Sequence, residues 1–197
     1  MAAENKNIIG YDRDIIAAIA EEIGMKSEFR NIAWDGIFAS LESGQANVIA
    51  SCVTITDKRK KAYVFSDPYY EVHQAVVVAK DSAIKKPEDL KGKKVGVQIG
   101  TTAIQALRKM NVDIDLRPYD EVGLVFEDMR NGRLDVVVCD DPVARYYASR
   151  KEGYKDLMKV AFLTEDVEYI GFVFSKDNAE LAAQVNKGLK AIRENGK

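Results

Sequence analysis

The sequence has few of the residues that build metal centres and covalent cross-links. Its 197 residues include one histidine, His73, and two cysteines, Cys52 and Cys139, which are far apart in the chain. A catalytic zinc site built on several histidines is therefore excluded, and so is a scaffold held by several disulfides.

Long apolar runs and an excess of one charge are absent as well. No segment approaches the roughly 20 apolar residues that a membrane-spanning helix requires. Lysine plus arginine total 29 and aspartate plus glutamate total 31, a net charge of -2, whereas binding to a nucleic-acid backbone needs a basic excess. The first residues lack the basic and then apolar profile of a secretory signal peptide. With 47% hydrophobic and 30% charged residues, the composition is that of a soluble globular protein of one large or two small domains.

What the sequence does contain is a regular alternation of helical and extended patterns. Apolar residues recur at helical spacing in some segments, and short apolar runs indicate buried strands in others. The predicted helices cover residues 11–23, 34–41, 87–92, 103–109, 121–131 and 142–147, and the predicted strands cover residues 27–31, 48–50, 75–79, 94–98, 114–119 and 135–139. This alternation predicts an α/β fold, and the absence of a linker rich in proline or glycine suggests two units joined directly.

Polar residues follow several of the predicted strands, where ligands of open α/β sheets bind. Hydroxyl residues and then Arg59 follow the strand at 48–50, and the planar guanidinium of arginine suits a carboxylate. Thr101 and Thr102 open a helix after the strand at 94–98, and the N–H groups of a helix N-terminus are able to hold an anion.

A carboxylate completes this set of groups. Asp140 follows the strand at 135–139 and is able to hold an ammonium group. Each residue also has a simpler interpretation, because Arg59 lies in a basic run that could be solvated, and Thr102 and Asp140 could only cap helices. Trp34 could be a core residue and His73 a surface residue. The combination favours a site for a zwitterion.

Five segments in order resemble the extracytoplasmic solute-binding proteins of polar amino-acid ABC transporters, bacterial family 3. The resemblance covers nearly the whole chain. The family patterns GFDxDLxxAIA, WDGLIPALxSGxxDVIxSGMTITxxRxxxxxFSDPYY, DLKGKKVGVQxGTT, NGRxDAVVxDxPVAxYY and VNKxLKxIRENG are similar to residues 10–20, 34–70, 89–102, 131–147 and 185–196.

The resemblance implies an α/β, type II periplasmic-binding-protein fold, in which two α/β lobes are joined by two crossing hinge strands and close around one amino acid. Lobe 1 would comprise residues 1–68 plus 171–197, lobe 2 residues 74–165, and the hinge residues 69–73 and 166–170. The implied ligand is a free polar or cationic L-amino acid, passed to an ABC permease in the membrane. The implied location is periplasmic or extracytoplasmic. No cofactor, metal, catalytic residue or nucleic acid is expected.

The resemblance also implies roles for individual residues. Those expected at the ligand are Arg59 on the α-carboxylate, Thr54 with its hydroxyl and backbone and the Cys52 backbone beside it, Thr101 and Thr102 on the carboxylate from lobe 2, Asp140 on the α-ammonium, Trp34 as an aromatic wall, and Gln98 and Asp12 contacting or tuning the side-chain end.

Some residues depart from the family patterns. Cys52 replaces the usual glycine, and Cys139 stands where valine, histidine or glutamine is common. The alternatives are two small buried thiols, or a disulfide or thiol contact across the lobes. The usual first strand and last helix are not in this sequence, so a trimmed or remodelled chain is expected, and its ligand affinity is the property most affected. The expected monomer has a strand-exchanged dimer as its alternative.

Two other functions fit the same fold. One is a sensory or non-transport relic without a competent site. The other is an enzyme similar to cyclohexadienyl dehydratase, which needs a general acid over its ligand. The sequence offers no candidate for that acid beyond the binding-site acids.

Overall fold

The structure, a computed structural model, describes residues 2–4 and 7–196. The chain divides into two compact units. The first comprises the residues up to Glu71 and those from Glu168 onward, and the second comprises residues 72–167. The chain therefore passes between the units twice.

The helices and strands alternate along most of the chain. In chain order the strands are β1 (Ala2–Glu4), β2 (Asn7–Ile9), β3 (Val64–Phe65), β4 (Tyr70–Val72), β5 (Gln74–Ala79), β6 (Lys94–Gln98), β7 (Asp115–Tyr119), β8 (Val136–Asp140), β9 (Met158–Leu163), β10 (Glu168–Ile170) and β11 (Val173–Phe174), and the helices are α1 (Tyr11–Glu22), α2 (Ile37–Glu42), α3 (Asp57–Lys60), α4 (Ala103–Met110), α5 (Val122–Arg130), α6 (Asp141–Ser149) and α7 (Ala179–Glu194). Turns of 3-10 helix occur at Trp34–Gly36, Pro87–Leu90 and Lys176–Asn178.

The second unit is built on a mixed five-stranded sheet in the order β7-β6-β8-β5-β9. Strands β7, β6 and β8 are parallel, and β5 runs antiparallel to both β8 and β9. The interior of β5 and β8 is apolar and fully buried, as expected for strands covered on both faces. Because β6 and β8 are parallel, their carboxyl ends lie at one edge of the sheet, together with the first residue of β5. This edge positions the polar residues described below.

The first unit has less sheet and is organised around helices. Helices α1 and α7 pack closely, since a Cβ added at Gly188 of α7 would lie 2.8 Å from Ile19 Cγ2. Strand β1 pairs with β2, and β3 pairs with β11. Single antiparallel bridges join Ile49 to Val173 and Thr54 to Ile170, and the second of these bridges sets the position of the loop before α3.

Some predicted elements of the first unit are wrong or shorter. The strand predicted at 27–31 is not formed, because those residues are mostly exposed and have no paired neighbour strand within the described part of the chain. The strand predicted at 48–50 reduces to the single bridge at Ile49. The helix predicted at 34–41 is divided into a 3-10 turn and α2.

Candidate functional site

Arg59 is set apart from the basic residues around it. It lies in α3, and the Thr56 side chain at the N-cap accepts a hydrogen bond from the Arg59 backbone N–H at 3.2 Å. Arg59 is half-buried, whereas its neighbours Lys58 and Lys60 are exposed. The basic run is therefore not a uniformly solvated face, because the helix turns one of its charges inward.

The guanidinium of Arg59 is held in a defined orientation. Its Nη1 donates to the Thr54 carbonyl oxygen at 2.8 Å. Its central carbon lies 5.9 Å from the ring centroid of Trp34 and 5.7 Å from that of Phe38, within the range of cation–π attraction. Trp34 is half-buried and packs edge-on against Phe38, so it is partly a core residue as well as a neighbour of the guanidinium.

Thr54 supports this arrangement from a buried position. Only 5% of the residue is exposed, and its hydroxyl donates to Glu168 Oε2 at 3.0 Å. Glu168 lies in the range 166–170 that was expected to form the hinge. Its contact with Thr54 could not be predicted, because the two residues are 114 positions apart and no predicted strand or motif points to Glu168. The first unit thus places a guanidinium and a carboxylate on either side of Thr54.

Asp12 organises the backbone at Cys52. Asp12 is 7% exposed, and its carboxylate accepts hydrogen bonds from the Cys52 backbone N–H at 2.5 Å and from the Tyr69 hydroxyl at 2.9 Å. Burial raises the pKa of Tyr69, and the nearby Asp12 charge raises it further, so this hydroxyl stays protonated as a donor. Asp12 therefore fixes the segment that precedes Thr54, a role that its sequence position did not suggest.

The backbone at Cys52 explains why glycine is common there in the family that the sequence resembles. Cys52 has φ of 51°, in the left-handed region that glycine enters at no steric cost.

We expect Cys52→Gly to raise the free energy of unfolding by up to about 1 kcal/mol, because relief of this strain exceeds the entropy that glycine loses on folding. Denaturant unfolding of Cys52→Gly and Cys52→Ala measures it, and the alanine variant should remain near the wild type. A glycine variant less stable than the alanine variant would contradict this explanation.

The second unit presents hydroxyls at the start of α4. Strand β6 ends at Gln98, whose side-chain amide donates to the Asp120 carbonyl oxygen at 2.9 Å. Gly100, with φ of 76°, turns the chain, and the Thr101 hydroxyl donates to the Gln98 carbonyl oxygen at 2.8 Å. Thr102 is buried at the N-cap of α4. The N-terminus of α4 offers backbone N–H groups to an anion.

Asp140 stands where β8 meets α6. Its Oδ1 accepts a hydrogen bond from Gln74 Nε2 at 2.6 Å. Asp140 is the N-cap residue of α6, but its side chain makes no capping hydrogen bond to that helix. Gln74 also donates to Thr102 Oγ1 at 3.1 Å. The sequence did not single out Gln74, although a polar residue that begins an otherwise apolar strand is a recognisable signal.

Neither cysteine forms a disulfide within the described residues. Cys139 is buried in β8, and burial raises the pKa of its thiol well above the usual value, with the nearby Asp140 and Asp141 charges acting in the same direction. Cys52 is half-buried. Cys139 thus has the burial that the first alternative expects, whereas Cys52 does not, and the choice between the two alternatives stays a prediction.

The described ranges hold no candidate metal site and no candidate membrane-spanning helix. Residues 2–4 and 7–196 contain no group of three or more His, Cys, Asp or Glu residues placed to hold a metal ion. None of the helices in these ranges is long and apolar enough to cross a membrane.

The two units and their polar residues define the class of this protein. It has the type II periplasmic-binding-protein fold, with one unit that carries an oriented guanidinium and another that carries a carboxylate and a helix N-terminus. The chain belongs to the bacterial extracellular solute-binding proteins, family 3, whose family profile matches residues 1–197.

Relatives and solved structures agree with this family. A protein of Neisseria gonorrhoeae named Probable histidine-binding protein is 34% identical over 193 residues, which are 96% of this chain and 72% of that relative. An ancestral arginine-binding protein, solved with bound arginine, is 38% identical with a TM-score of 0.89, and the match covers 98% of this chain and 86% of that one. The ancestral amino acid-binding protein AncCDT-1, a precursor of cyclohexadienyl dehydratase, is 37% identical with a TM-score of 0.88 over 98% of this chain and 84% of that one.

Proposed function

We propose that this protein binds a polar or cationic L-amino acid and delivers it to an ABC importer. The observation that carries the proposal is the oriented guanidinium of Arg59, which is turned inward and held by the Thr54 carbonyl while the neighbouring lysines face solvent. A fixed, half-buried guanidinium is suited to one carboxylate of defined position.

The remaining site residues complete the recognition of an α-amino acid. Arg59 binds the α-carboxylate together with Thr101 and Thr102 at the N-terminus of α4, and Asp140 binds the α-ammonium. Thr54 and the Cys52 backbone line the same ligand, Trp34 covers its side chain, and Gln98 and Asp12 tune the side-chain end. The crossings at 69–73 and 166–170 act as the hinge that responds to the ligand.

The similarity to amino-acid-binding proteins supports this proposal. The relatives named above carry names for histidine and arginine, and a second structure of the ancestral arginine-binding protein contains glutamine. All three ligands have polar side chains. The family is extracellular, which supports an extracytoplasmic location and a membrane permease as the partner.

Binding without chemistry is the better interpretation of the acidic residues. Asp140 accepts from Gln74, Glu168 accepts from Thr54, and Asp12 accepts from two donors. Each of these carboxyl groups is thus held by donors of its own unit, which fits a binding or structural role. The likeness to AncCDT-1 keeps an enzyme as the second candidate, although that neighbour is itself named an amino acid-binding protein.

A thermal-shift panel tests the proposed function. We expect L-arginine, L-lysine, L-histidine or L-glutamine to stabilise the protein by about 2.7 kcal/mol at a hundredfold excess over Kd. For a chain of this size that is a rise of about 5–10 °C in the melting temperature. D-enantiomers and L-leucine serve as controls, and mass spectrometry of the recovered ligand separates binding from turnover. If none of the amino acids raises the melting temperature, the proposed function is wrong, and a chemically altered ligand would favour the enzyme.

A further inference from the structure

The side-chain amide of Gln74 donates to both Asp140 and Thr102, the two residues of the second unit that are proposed to bind the α-ammonium and the α-carboxylate. We propose that Gln74 is a positioning residue that aligns Asp140 and Thr102 for one α-amino acid. This inference rests on the proposed function and adds a residue that contributes to affinity through its neighbours.

Gln74 is fixed by its backbone before its side chain is considered. It is the first residue of β5, and in the antiparallel ladder it lies directly opposite Asp140 of β8. On its other side its N–H donates to Thr164 Oγ1 at 3.1 Å, and its carbonyl oxygen accepts from the Thr164 N–H at 2.8 Å. Both backbone hydrogen bonds of Gln74 run to Thr164, and the strand is paired with β8 on its other side, so the side chain projects from a fixed backbone position.

The side-chain amide of Gln74 is oriented by the chemistry of its partners. The residue is 1% exposed, and the other residues of the strand interior are apolar. An ionised carboxylate only accepts hydrogen bonds, so the NH2 end of the amide faces Asp140 Oδ1 at 2.6 Å. The second proton of the same nitrogen is directed at Thr102 Oγ1 at 3.1 Å. Both protons are thus used, one on each ligand-facing residue.

Each of these bonds prepares its acceptor for one end of a zwitterion. The bond to Oδ1 sets the rotation of the Asp140 carboxylate and therefore the direction of Oδ2. Because the Thr102 hydroxyl accepts from the amide, its own proton points away from Gln74, and a hydroxyl that accepts a bond is a stronger donor. A single nitrogen atom of Gln74 thus aligns Thr102, which is 28 residues away in the sequence, and Asp140, which is 66 residues away.

Removal of this nitrogen should weaken ligand binding more than it weakens the fold. Gln74→Met keeps the length of the side chain without its donors, and Gln74→Leu is a second variant of similar volume. We expect the affinity for L-arginine, measured by calorimetry, to fall roughly 10- to 100-fold in both variants. Val78→Ala is the matched control, because Val78 is buried in the same strand opposite Val136. This control should lower the melting temperature and leave the affinity within about twofold of the wild type.

A second ligand separates positioning from a merely structural role. 5-Guanidinopentanoic acid is L-arginine without the α-ammonium, so it lacks the group that Asp140 binds. The loss of affinity caused by Gln74→Met should be at least about threefold smaller for this analogue than for L-arginine. In the double variant, Gln74→Met should add correspondingly little to the loss of L-arginine affinity caused by Asp140→Ala. If the panel identifies L-histidine instead, 3-(imidazol-4-yl)propanoic acid replaces the analogue.

The outcomes distinguish this inference from the proposed function. A wild-type chain that binds no amino acid overturns the proposed function, and the role of Gln74 with it. A wild-type chain that binds, with unchanged affinity in Gln74→Met and Gln74→Leu, overturns the role of Gln74 alone. Equal losses for the amino acid and its analogue also overturn it, because a general disturbance of the unit would not discriminate between the two ligands.

Discussion

Arg59→Ala is expected to lower the affinity for the cognate amino acid by at least about 100-fold. The guanidinium is held by the Thr54 carbonyl at 2.8 Å and lies against the rings of Trp34 and Phe38, so its orientation is set within its own unit. An oriented guanidinium forms two parallel charge-assisted bonds with a carboxylate. Truncation leaves the ligand carboxylate desolvated without this partner, which is the costly case for a buried ion pair. Isothermal titration calorimetry measures the loss directly.

Two further variants show whether the geometry of Arg59 matters as well as its charge. Lys60→Ala removes an exposed positive charge from the same helix and should change the affinity by less than about twofold. Arg59→Lys keeps the charge but lacks the planar fork, so we expect an intermediate loss of about tenfold. Retained affinity in a folded Arg59→Ala variant would show that another group binds the carboxylate. An equal loss in Lys60→Ala would show that only the net charge matters.

The second unit was the easier part of the fold to predict. The strand predicted at 94–98 is β6 (Lys94–Gln98), and the strand predicted at 135–139 is β8 (Val136–Asp140), one residue later. These strands are buried on both faces, so their residues form short continuous apolar runs that have few other interpretations. Strand β9 was not predicted, although five of its six residues are apolar, and all but Met158 are only half-buried.

The first unit was harder because its strands depend on partners that are distant in sequence. Residues 27–31 have an extended pattern, yet only Phe29 is half-buried and the others are exposed. A strand is defined by the neighbour that completes its hydrogen bonds, and local pattern cannot supply that neighbour. The short ladder between β3 and β11 joins residues more than 100 positions apart, so nothing in the local sequence around either strand indicates the pairing.

The candidate site shows the same division between local and long-range information. Arg59 and Asp140 were recognisable because each follows a predicted apolar strand, although the one before Arg59 is only a single bridge, and chemistry at a strand end is a local pattern. The contacts of Gln74 and Glu168 could not be predicted, because their partners lie 66 and 114 residues away, although Gln74 itself stands out as a polar residue that begins an apolar strand. The ligand roles of all these residues stay predictions, and the structure adds which of them hold one another in place.

Asp12→Ala is expected to lower the free energy of unfolding by about 3 kcal/mol, or about 6–12 °C in melting temperature for a chain of this size. The variant leaves two donors, the Cys52 N–H and the Tyr69 hydroxyl, without the carboxylate that accepts from both. Loss of an ionised acceptor from a buried donor is among the larger effects of a single substitution. The left-handed backbone at Cys52 adds to the cost, because the bond to Asp12 helps to hold it. Thermal and denaturant unfolding measure the change.

Asp14→Ala is the matched control for Asp12. Both acids lie in the first turn of α1 and interact alike with the helix dipole, but the Asp14 side chain is 68% exposed and pairs with the surface residue Arg13. Asp14→Ala should lower the free energy of unfolding by no more than about 1 kcal/mol. Equal decreases in Asp14→Ala and Asp12→Ala would show that the interaction with the helix dipole alone explains the effect of Asp12.

Asp12→Asn then separates the two roles of the carboxylate. If Asp12 acts by orienting the Cys52 backbone, affinities for all amino acids in the panel should fall together. If it contacts the ligand side chain, the cationic amino acids should lose affinity selectively relative to L-glutamine.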